Sequence, residues 1–231
     1  MSSSVSHIIT TVLSGLTATV TAAVGGIALT VVLSLIAGLA LGSPSRAVRG
    51  ISRVYVEIFR GTSEVVQLFW LYFVLPVLVG FQLVPMFAGI LVLGLNHGAY
   101  GAEIVRGAVN SVPRAQFEGA VALNLTPAQR MRRVILPQAF AEMLPPFNNL
   151  FIQLLKSTAL LSFIAVPEMA RQGELLRPVF GADLGWIYGT ELVLYLLLAL
   201  LITSGMRLLE RIAARRLGRA PAKMTATAGG V

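Results

Sequence analysis

Residues 111–137, SVPRAQFEGAVALNLTPAQRMRRVILP, decide how this chain is interpreted, because they form a soluble-looking segment between long apolar stretches. Pro113 suits the first turn of a helix, where its missing N–H would be unpaired anyway, and good helix formers follow it as far as Leu123. Asn124 tolerates the left-handed backbone conformation that ends helices. The pattern predicts a short helix that closes at a sharp corner.

A second short helix is predicted to begin directly after that corner. Thr126 and Gln129 have the spacing of a capping box, in which the threonine hydroxyl accepts from the glutamine N–H and the glutamine side chain reaches back. The helix would start at Pro127 and run to Leu136, because Pro137 lacks the N–H needed to continue it unbroken. The segment is therefore predicted to be two helices joined by a turn.

The composition places the rest of the chain in a membrane. Hydrophobic residues make up 56% of the 231 residues and charged residues 12%, which excludes an ordinary soluble domain and a disordered chain alike. A helix needs about 20 apolar residues to cross a bilayer. We predict five such spans, at residues 11–41, 55–79, 86–107, 140–163 and 186–209. The expected fold is an all-α polytopic membrane protein, with one transmembrane domain over 1–219 and a disordered tail over 220–231.

The positions of the basic residues predict the orientation. Most of the 18 lysines and arginines fall in the first linker, in the third linker and in the tail. By the positive-inside rule the N-terminus is expected outside and the C-terminus in the cytoplasm, which five crossings also require. The net charge of +8 then faces the cytoplasm and lipid headgroups, and nucleic acid is not an expected partner.

The sequence contains no pattern for metal or nucleotide binding. There is no cysteine, and His7 and His97 are far apart, so no metal site is expected. Lys156 and Lys223 are the only lysines, and neither follows a glycine-rich loop of the kind that binds ATP phosphates. No cofactor and no catalytic residue are expected in this chain.

The coupling segment, as residues 111–137 are called below, resembles the EAA loop of inner-membrane permeases of ABC importers. The resemblance rests on Glu118-Gly119-Ala120, on Asn124, and on Ile135-Leu136-Pro137. Gly119 stands where the family has its first alanine, which adds some cost to the helix. Asn124 stands where the family has glycine, which keeps the left-handed corner available.

Stretches outside the coupling segment resemble the polar amino acid branch of these permeases, the histidine and glutamine type. They are residues 55–75, 98–107 and 144–164, and the resemblance covers roughly residues 8–212. Residues 60–63, 130–133 and 156–158, with Asn124, are most similar to permeases of ectoine and hydroxyectoine importers. The resemblance implies transport of ectoine or hydroxyectoine. The alternative is a permease for glutamine, histidine, arginine or a similar amino acid, and a channel or scaffold without an ATPase is an alternative of another class.

The resemblance also implies partners and coupling residues. ATPase subunits would bind ATP and magnesium, a second permease would form a homo- or heterodimer, and an extracytoplasmic binding protein would deliver a small zwitterion. The complex would lie in the bacterial inner (plasma) membrane, where this multi-pass chain also meets lipids. The implied coupling residues are Glu118, Gly119, Ala120, Leu123, Asn124, Arg130, Ile135, Leu136 and Pro137. Arg130 would pair either with an ATPase carboxylate or with a lipid phosphate.

Polar residues inside the predicted spans are candidates for a substrate pathway, because polar groups are costly in a bilayer. They are Asn96, His97, Asn148, Asn149, Gln153 and Lys156. Hydrogen bonding between helices is the alternative role for them. Lys156 can either extend to the membrane interface or meet a substrate carboxylate.

Three further patterns carry structural expectations. Pro145-Pro146 predicts an interruption of the fourth span, which would then be bent and line a cavity. Glu103 and Arg106, three residues apart, are expected to pair on one helix face. The polar residues 167–185 are expected outside the membrane, either as a contact for the binding protein or as a solvated connection.

Overall fold

The computed structural model describes residues 2–216, and every regular element in that range is a helix. The α-helices are α1 (Ser2–Ser14), α2 (Leu16–Leu41), α3 (Arg46–Gly61), α4 (Glu64–Phe69), α5 (Leu75–Val79), α6 (Pro85–Ser111), α7 (Arg114–Ala122), α8 (Pro127–Arg130), α9 (Leu136–Ser157), α10 (Met169–Leu176) and α11 (Leu184–Arg216). Wider π-helical turns occupy Trp70–Val74 and Met131–Ile135, and tighter 3-10 turns occupy Thr158–Ile164 and Gly181–Asp183. The all-α prediction is confirmed; the predicted tail, 220–231, lies outside the described residues.

Between two and four stretches of the described chain are long and apolar enough to cross a bilayer. Ser4–Leu41 and Gly181–Arg215 qualify alone, and they contain all of the first and all of the fifth predicted span. Two bent helix pairs can each supply one more, Arg46–Gly61 with Glu64–Val79 and Pro127–Ile164 with Met169–Leu176. Five crossings and the orientation of the termini stay predictions.

Helix α6 contains the third predicted span and lies at the centre of the fold. Its 27 residues extend about 40 Å, and it packs against α2, α3, α4 and α9. Asn96, His97 and several glycines make it less apolar than α2. A helix surrounded by other helices can hold these residues because it exposes little surface to lipid.

The second predicted span is not a straight helix, which corrects the expectation for residues 55–79. The chain turns by 105° between α3 and the helical stretch that starts at Glu64. Thr62 and Ser63 adopt extended backbone there, and the Gln67 side chain donates to the carbonyl of Phe59 (2.9 Å) and to the Thr62 hydroxyl (2.7 Å). Gln67 thus satisfies a carbonyl that the end of α3 leaves unpaired, so the break is stable.

Two expectations about prolines are wrong. Pro137 does not end the helix that begins at Pro127, because a π-helical turn at Met131–Ile135 widens the backbone just before it and the chain continues into α9. Pro145 and Pro146 lie inside α9 without interrupting it, and both are exposed, so their rings displace no packed neighbour. A bend of 50° instead follows Ile164, before α10.

Helices α2 and α6 share the most extensive contact between two helices in the described chain, and glycines permit their approach. A Cβ atom at Gly38 would lie only 2.7 Å from the backbone oxygen of Ala102, and one at Gly101 would collide with Ser34. The Ser34 hydroxyl donates to the Gly98 carbonyl across the same contact at 3.3 Å. Small residues therefore bring the two backbones together, as is common between membrane helices.

Candidate functional site

The coupling segment has the predicted shape. Helix α7 ends at Ala122, and Asn124 adopts the left-handed conformation with φ of 56°. The capping box is complete, since Gln129 N donates to the Thr126 hydroxyl at 3.3 Å and Thr126 N donates to Gln129 Oε1 at 3.0 Å. The corner and the start of α8 are both confirmed.

The nine coupling residues divide into an exposed set and an anchoring set. Glu118, Gly119, Leu123, Asn124 and Pro137 are exposed, Arg130 and Leu136 are half-buried, and Ala120 and Ile135 are buried. Ile135 packs in one core cluster with Ala108 near the end of α6 and with Ala139 near the start of α9, and so holds the segment against both helices. The exposed residues leave a surface available to a partner.

An apolar feature of that surface was not predicted. Leu123 is 75% exposed and Val121 is 54% exposed, although both lie in an otherwise polar loop. Two exposed hydrophobic side chains therefore lie close together in sequence at the end of α7, next to the left-handed corner. Glu118 lies beside them on α7, and it is also exposed.

A second candidate site is an internal polar cluster of five residues, Glu64, Gln67, Asn96, His97 and Ser157. His97 is 1% exposed, and its Nδ1 lies 3.1 Å from the Leu93 carbonyl and 3.4 Å from Glu64 Oε1. Both neighbours are acceptors, so the proton of a neutral ring belongs on Nδ1, and Nε2 is left as an acceptor. Nε2 of His97 and Oε1 of Glu64 have no hydrogen-bond partner among the described residues.

Asn96 joins the same cluster from the neighbouring position on α6. Its side-chain N–H donates to the Phe59 carbonyl at 2.9 Å and to Gln67 Oε1 at 3.2 Å. Both of these contacts lie at or next to the bend between α3 and α4. The structure thus connects the two predicted pathway residues of α6 to the bend that the sequence analysis missed.

Sequence reasoning overlooked Glu64, Gln67 and Ser157. Glu64 fell inside a predicted span, and an acidic residue there is by itself a signal of function. The partner could not be identified in the same way, because Ser157 is 93 positions further along the chain.

The predicted pathway residues of α9 form a different surface. Asn149, Gln153 and Lys156 follow one another at helical spacing and are exposed, which defines the polar face of α9. Asn148 is half-buried beside it, and its Oδ1 has no hydrogen-bond partner among the described residues. A polar face on a helix of this kind points away from lipid, toward a protein neighbour or water.

Two further predictions can be compared with the structure: the pairing of Glu103 with Arg106, and the character of residues 167–185. Glu103 and Arg106 pair as predicted, with Nε and a terminal nitrogen of Arg106 donating to Glu103 Oε2 at 2.8 and 2.6 Å. The segment 167–185 is more ordered than a solvated connection, since the buried Glu168 caps α10 by accepting from the N–H groups of Ala170 and Arg171.

Comparison with known sequences shows the family. The profile of the family described as binding-protein-dependent transport system inner membrane component matches residues 31–218. A probable amino-acid ABC transporter permease protein of Sinorhizobium fredii is 46% identical over 184 residues, which cover 78% of this chain and 77% of that protein. The glutamine transport system permease of Escherichia coli K12 is 37% identical over 188 residues, covering 80% of this chain and 85% of that protein.

Comparison with solved structures shows the same fold. A crystal structure of an amino acid ABC transporter with histidines matches with a TM-score of 0.79 and 30% identity, covering 87% of this chain and 93% of that one. A methionine ABC transporter in an inward-facing conformation has a TM-score of 0.74, 88% and 96% coverage and 21% identity, which supports the fold alone. The chain therefore belongs to the binding-protein-dependent transport system inner membrane component family and is an ABC importer permease of the polar amino acid branch.

Proposed function

We propose that this permease imports a polar amino acid through a pathway that includes the internal polar cluster. The observation that carries the proposal is a pair of buried acceptors without a hydrogen bond among the described residues: Glu64 Oε1, which faces His97 Nδ1 at 3.4 Å, and His97 Nε2. An unpaired buried acceptor is costly, and the ammonium group of an amino acid would supply donors to both.

The carboxylate of the same substrate needs a positive or donor group. Lys156 directly precedes Ser157 on α9, and Ser157 donates to Glu64 at 2.9 Å, so the lysine lies next to the cluster in the chain. Lys156 is exposed, and no carboxylate pairs with its ammonium group among the described residues. It is the residue best placed to meet a substrate carboxylate, with Gln153 one turn away on the polar face of α9.

We assign the substrate class from the amino acid permeases that this chain is similar to, and not from its resemblance to ectoine permeases. The proteins compared above are named for amino acids, including glutamine, and the most similar of the solved structures described here was obtained with histidines. Ectoine, the first expectation, is also a small zwitterion and stays a prediction that rests on residues 60–63, 130–133 and 156–158 and on Asn124. The amino acid alternative is therefore the main proposal.

The assembly proposed here follows the family. The polar face of α9 would meet a second permease, identical or related, so that the two chains enclose the pathway in the bacterial inner membrane. The exposed residues of the coupling segment would dock on ATPase subunits that bind ATP and magnesium. Residues 167–185, where Leu175 and Val179 are 55% and 76% exposed, would meet the binding protein outside the membrane. The exposed Leu123 and Val121 argue against a channel without an ATPase, because such a channel has no partner that would cover these hydrophobic side chains.

The test is uptake by the complete importer in proteoliposomes with ATP inside and the binding protein outside. Radiolabelled glutamine and radiolabelled ectoine are offered in separate assays, each in competition with unlabelled glutamine, histidine, arginine, ectoine and hydroxyectoine. We expect ATP-dependent uptake that one or more of the amino acids blocks and that ectoine does not. ATP-dependent uptake of ectoine, unaffected by amino acids, would reverse the substrate assignment, and ATP-independent flux would favour a channel.

A further inference from the structure

A charged cleft of about 420 Å³ lies between α3 and α6, apart from the internal polar cluster and the coupling segment. Three arginines line it, Arg53, Arg60 and Arg106, together with two carboxylates, Glu57 and Glu103. The lining therefore carries one positive charge more than its own carboxylates balance. Neither the pathway nor the coupling segment uses this charge.

Two of the three arginines are held in position. Glu103 Oε2 accepts two hydrogen bonds from Arg106, and Glu103 Oε1 lies 3.9 Å from a terminal nitrogen of Arg60. The Arg60 guanidinium also lies 5.1 Å from the centre of the Tyr100 ring. Arg53 has no hydrogen bond or ion pair among the described residues. The cleft thus combines two oriented guanidinium groups with one that is available to a ligand.

Helix α3 has a basic face, which includes the cleft residues Arg53 and Arg60, and a separate apolar face. Its basic residues recur at helical spacing on one face, at Arg46, Arg49, Arg53 and Arg60. Its exposed apolar residues form a second face, at Val48, Ile51, Val54 and Ile58, and Ile51 is 73% exposed. A helix with a basic face and a separate apolar face suits the boundary between headgroups and acyl chains.

The direction of α3 agrees with that position. The helix is turned by 105° from the stretch 64–79 that follows it. When that stretch lies across the bilayer, α3 runs nearly along the membrane surface. Its apolar face can then contact acyl chains while its basic face meets phosphates.

We propose that the charged cleft binds the phosphate of an anionic phospholipid, with the acyl chains lying against the exposed apolar face of α3. A phosphodiester carries one negative charge, which balances the excess charge of the cleft. Arginine forks bind phosphate oxygens well, and basic pockets between membrane helices are suited to anionic headgroups. The volume fits a small polar group rather than a whole lipid. This site is independent of which substrate the permease carries.

The test uses the complete importer in phosphatidylcholine nanodiscs. Spin-labelled phosphatidylglycerol and spin-labelled phosphatidylcholine are compared by the immobilised fraction in electron paramagnetic resonance spectra, without substrate. We expect phosphatidylglycerol to bind more tightly, and Arg53→Gln to weaken it by about fivefold, the effect of one basic residue near a headgroup. Glu57→Gln removes an opposing charge and should strengthen binding. Arg53 is exposed and has no hydrogen bond or ion pair among the described residues, so Arg53→Gln should fold normally. An unchanged thermal unfolding midpoint checks that the variant is intact.

A charge-matched control separates a site from a general surface potential. Arg207 is exposed on α11 and does not line the cleft, so Arg207→Gln should leave phosphatidylglycerol binding unchanged. Equal losses for Arg53→Gln and Arg207→Gln would overturn the proposal, as would equal binding of the two lipids. Displacement of phosphatidylglycerol by millimolar inorganic phosphate would also overturn it, because the ligand would then be a free anion. Selective loss in Arg53→Gln, with phosphate without effect, would support it.

Discussion

The Ser157 hydroxyl donates a 2.9 Å hydrogen bond to Oε2 of Glu64, and this contact joins α9 to the start of α4 across 93 positions of sequence. The other oxygen of Glu64 lies 3.4 Å from Nδ1 of His97 on α6. One carboxylate therefore contacts side chains from two other helices. A shift of any of the three helices would change what Glu64 can bind, so the cluster can respond to movement of the bundle.

Replacing Glu64 with glutamine is expected to abolish most uptake. The change keeps the size of the side chain but removes the negative charge, and a hydrogen bond to a charged group contributes about 1.5–3 kcal/mol. We expect uptake by the complete importer to fall at least about tenfold at limiting substrate. The measurement is the initial rate of radiolabelled amino acid uptake, normalised to permease in the membrane.

Glu210→Gln is the matched control for Glu64→Gln, because Glu210 lies on α11 away from the internal polar cluster. It should retain normal uptake. Normal uptake in the Glu64 variant would show that the internal polar cluster only holds helices together.

Reversing the charge of Glu118 is expected to uncouple the permease from its ATPase. Glu118 is exposed on α7, so Glu118→Lys removes no internal contact and should leave the fold unchanged. We expect less ATPase to co-purify with the permease and the substrate-stimulated ATP hydrolysis to be lost. Glu118→Gln, which removes the charge without reversing it, should cause a smaller loss. Full stimulation in the lysine variant would contradict the assigned role.

The left-handed corner at Asn124 predicts a sharp difference between two substitutions. Asn124→Gly should preserve assembly, because glycine adopts a φ of 56° without strain. Asn124→Val should destabilise the corner by about 1–3 kcal/mol, since a β-branched side chain rarely takes this conformation. Co-purification of the ATPase and thermal unfolding of the complex measure both effects. Equal behaviour of the two variants would mean that the corner does not matter for docking.

The close approach of α2 and α6 predicts that one added methyl group is harmful at Gly38. A Cβ there would lie 2.7 Å from the backbone oxygen of Ala102, which cannot rotate away, and overpacking of this kind costs about 1–3 kcal/mol. We expect Gly38→Ala to lower the thermal unfolding midpoint of the purified permease.

Gly107→Ala on α6 is the control for Gly38→Ala. No atom lies within 4 Å of a Cβ built at Gly107, and alanine is the better helix former by up to about 1 kcal/mol. Its midpoint should be unchanged or raised. A fall of the same size in both variants would point to a general intolerance of glycine replacement rather than to the contact with Ala102.

Three features of the fold differ from the sequence-based predictions because side-chain contacts and backbone adjustments decided them. The bend after Gly61 depends on the Gln67 side chain, which donates to the Phe59 carbonyl. The spacing of these residues in the sequence does not predict that contact. The effect of Pro137 was also misjudged, because a proline can be accommodated by a wider turn before it as well as by a helix end. Asn96 and His97 were candidates because polar side chains are costly in a membrane. Their contacts with Phe59 and Glu64, on either side of the bend, were visible only in three dimensions.

The sequence by itself determined the helical class, the positions of the longest apolar helices and the shape of the coupling segment. These features depend on composition or on neighbours within a few residues, as in the hydrogen bonds between Thr126 and Gln129 and the left-handed Asn124. Only the tertiary structure decided the bend between α3 and α4, the contacts of Glu64 with His97 and Ser157, and the charged cleft between α3 and α6. The contacts of Glu64 and the charged cleft require helices distant in sequence to pack at one distance and angle, and the bend is held by Gln67 and by Asn96 of α6, which both donate to the Phe59 carbonyl. The local preferences of a residue do not specify such contacts.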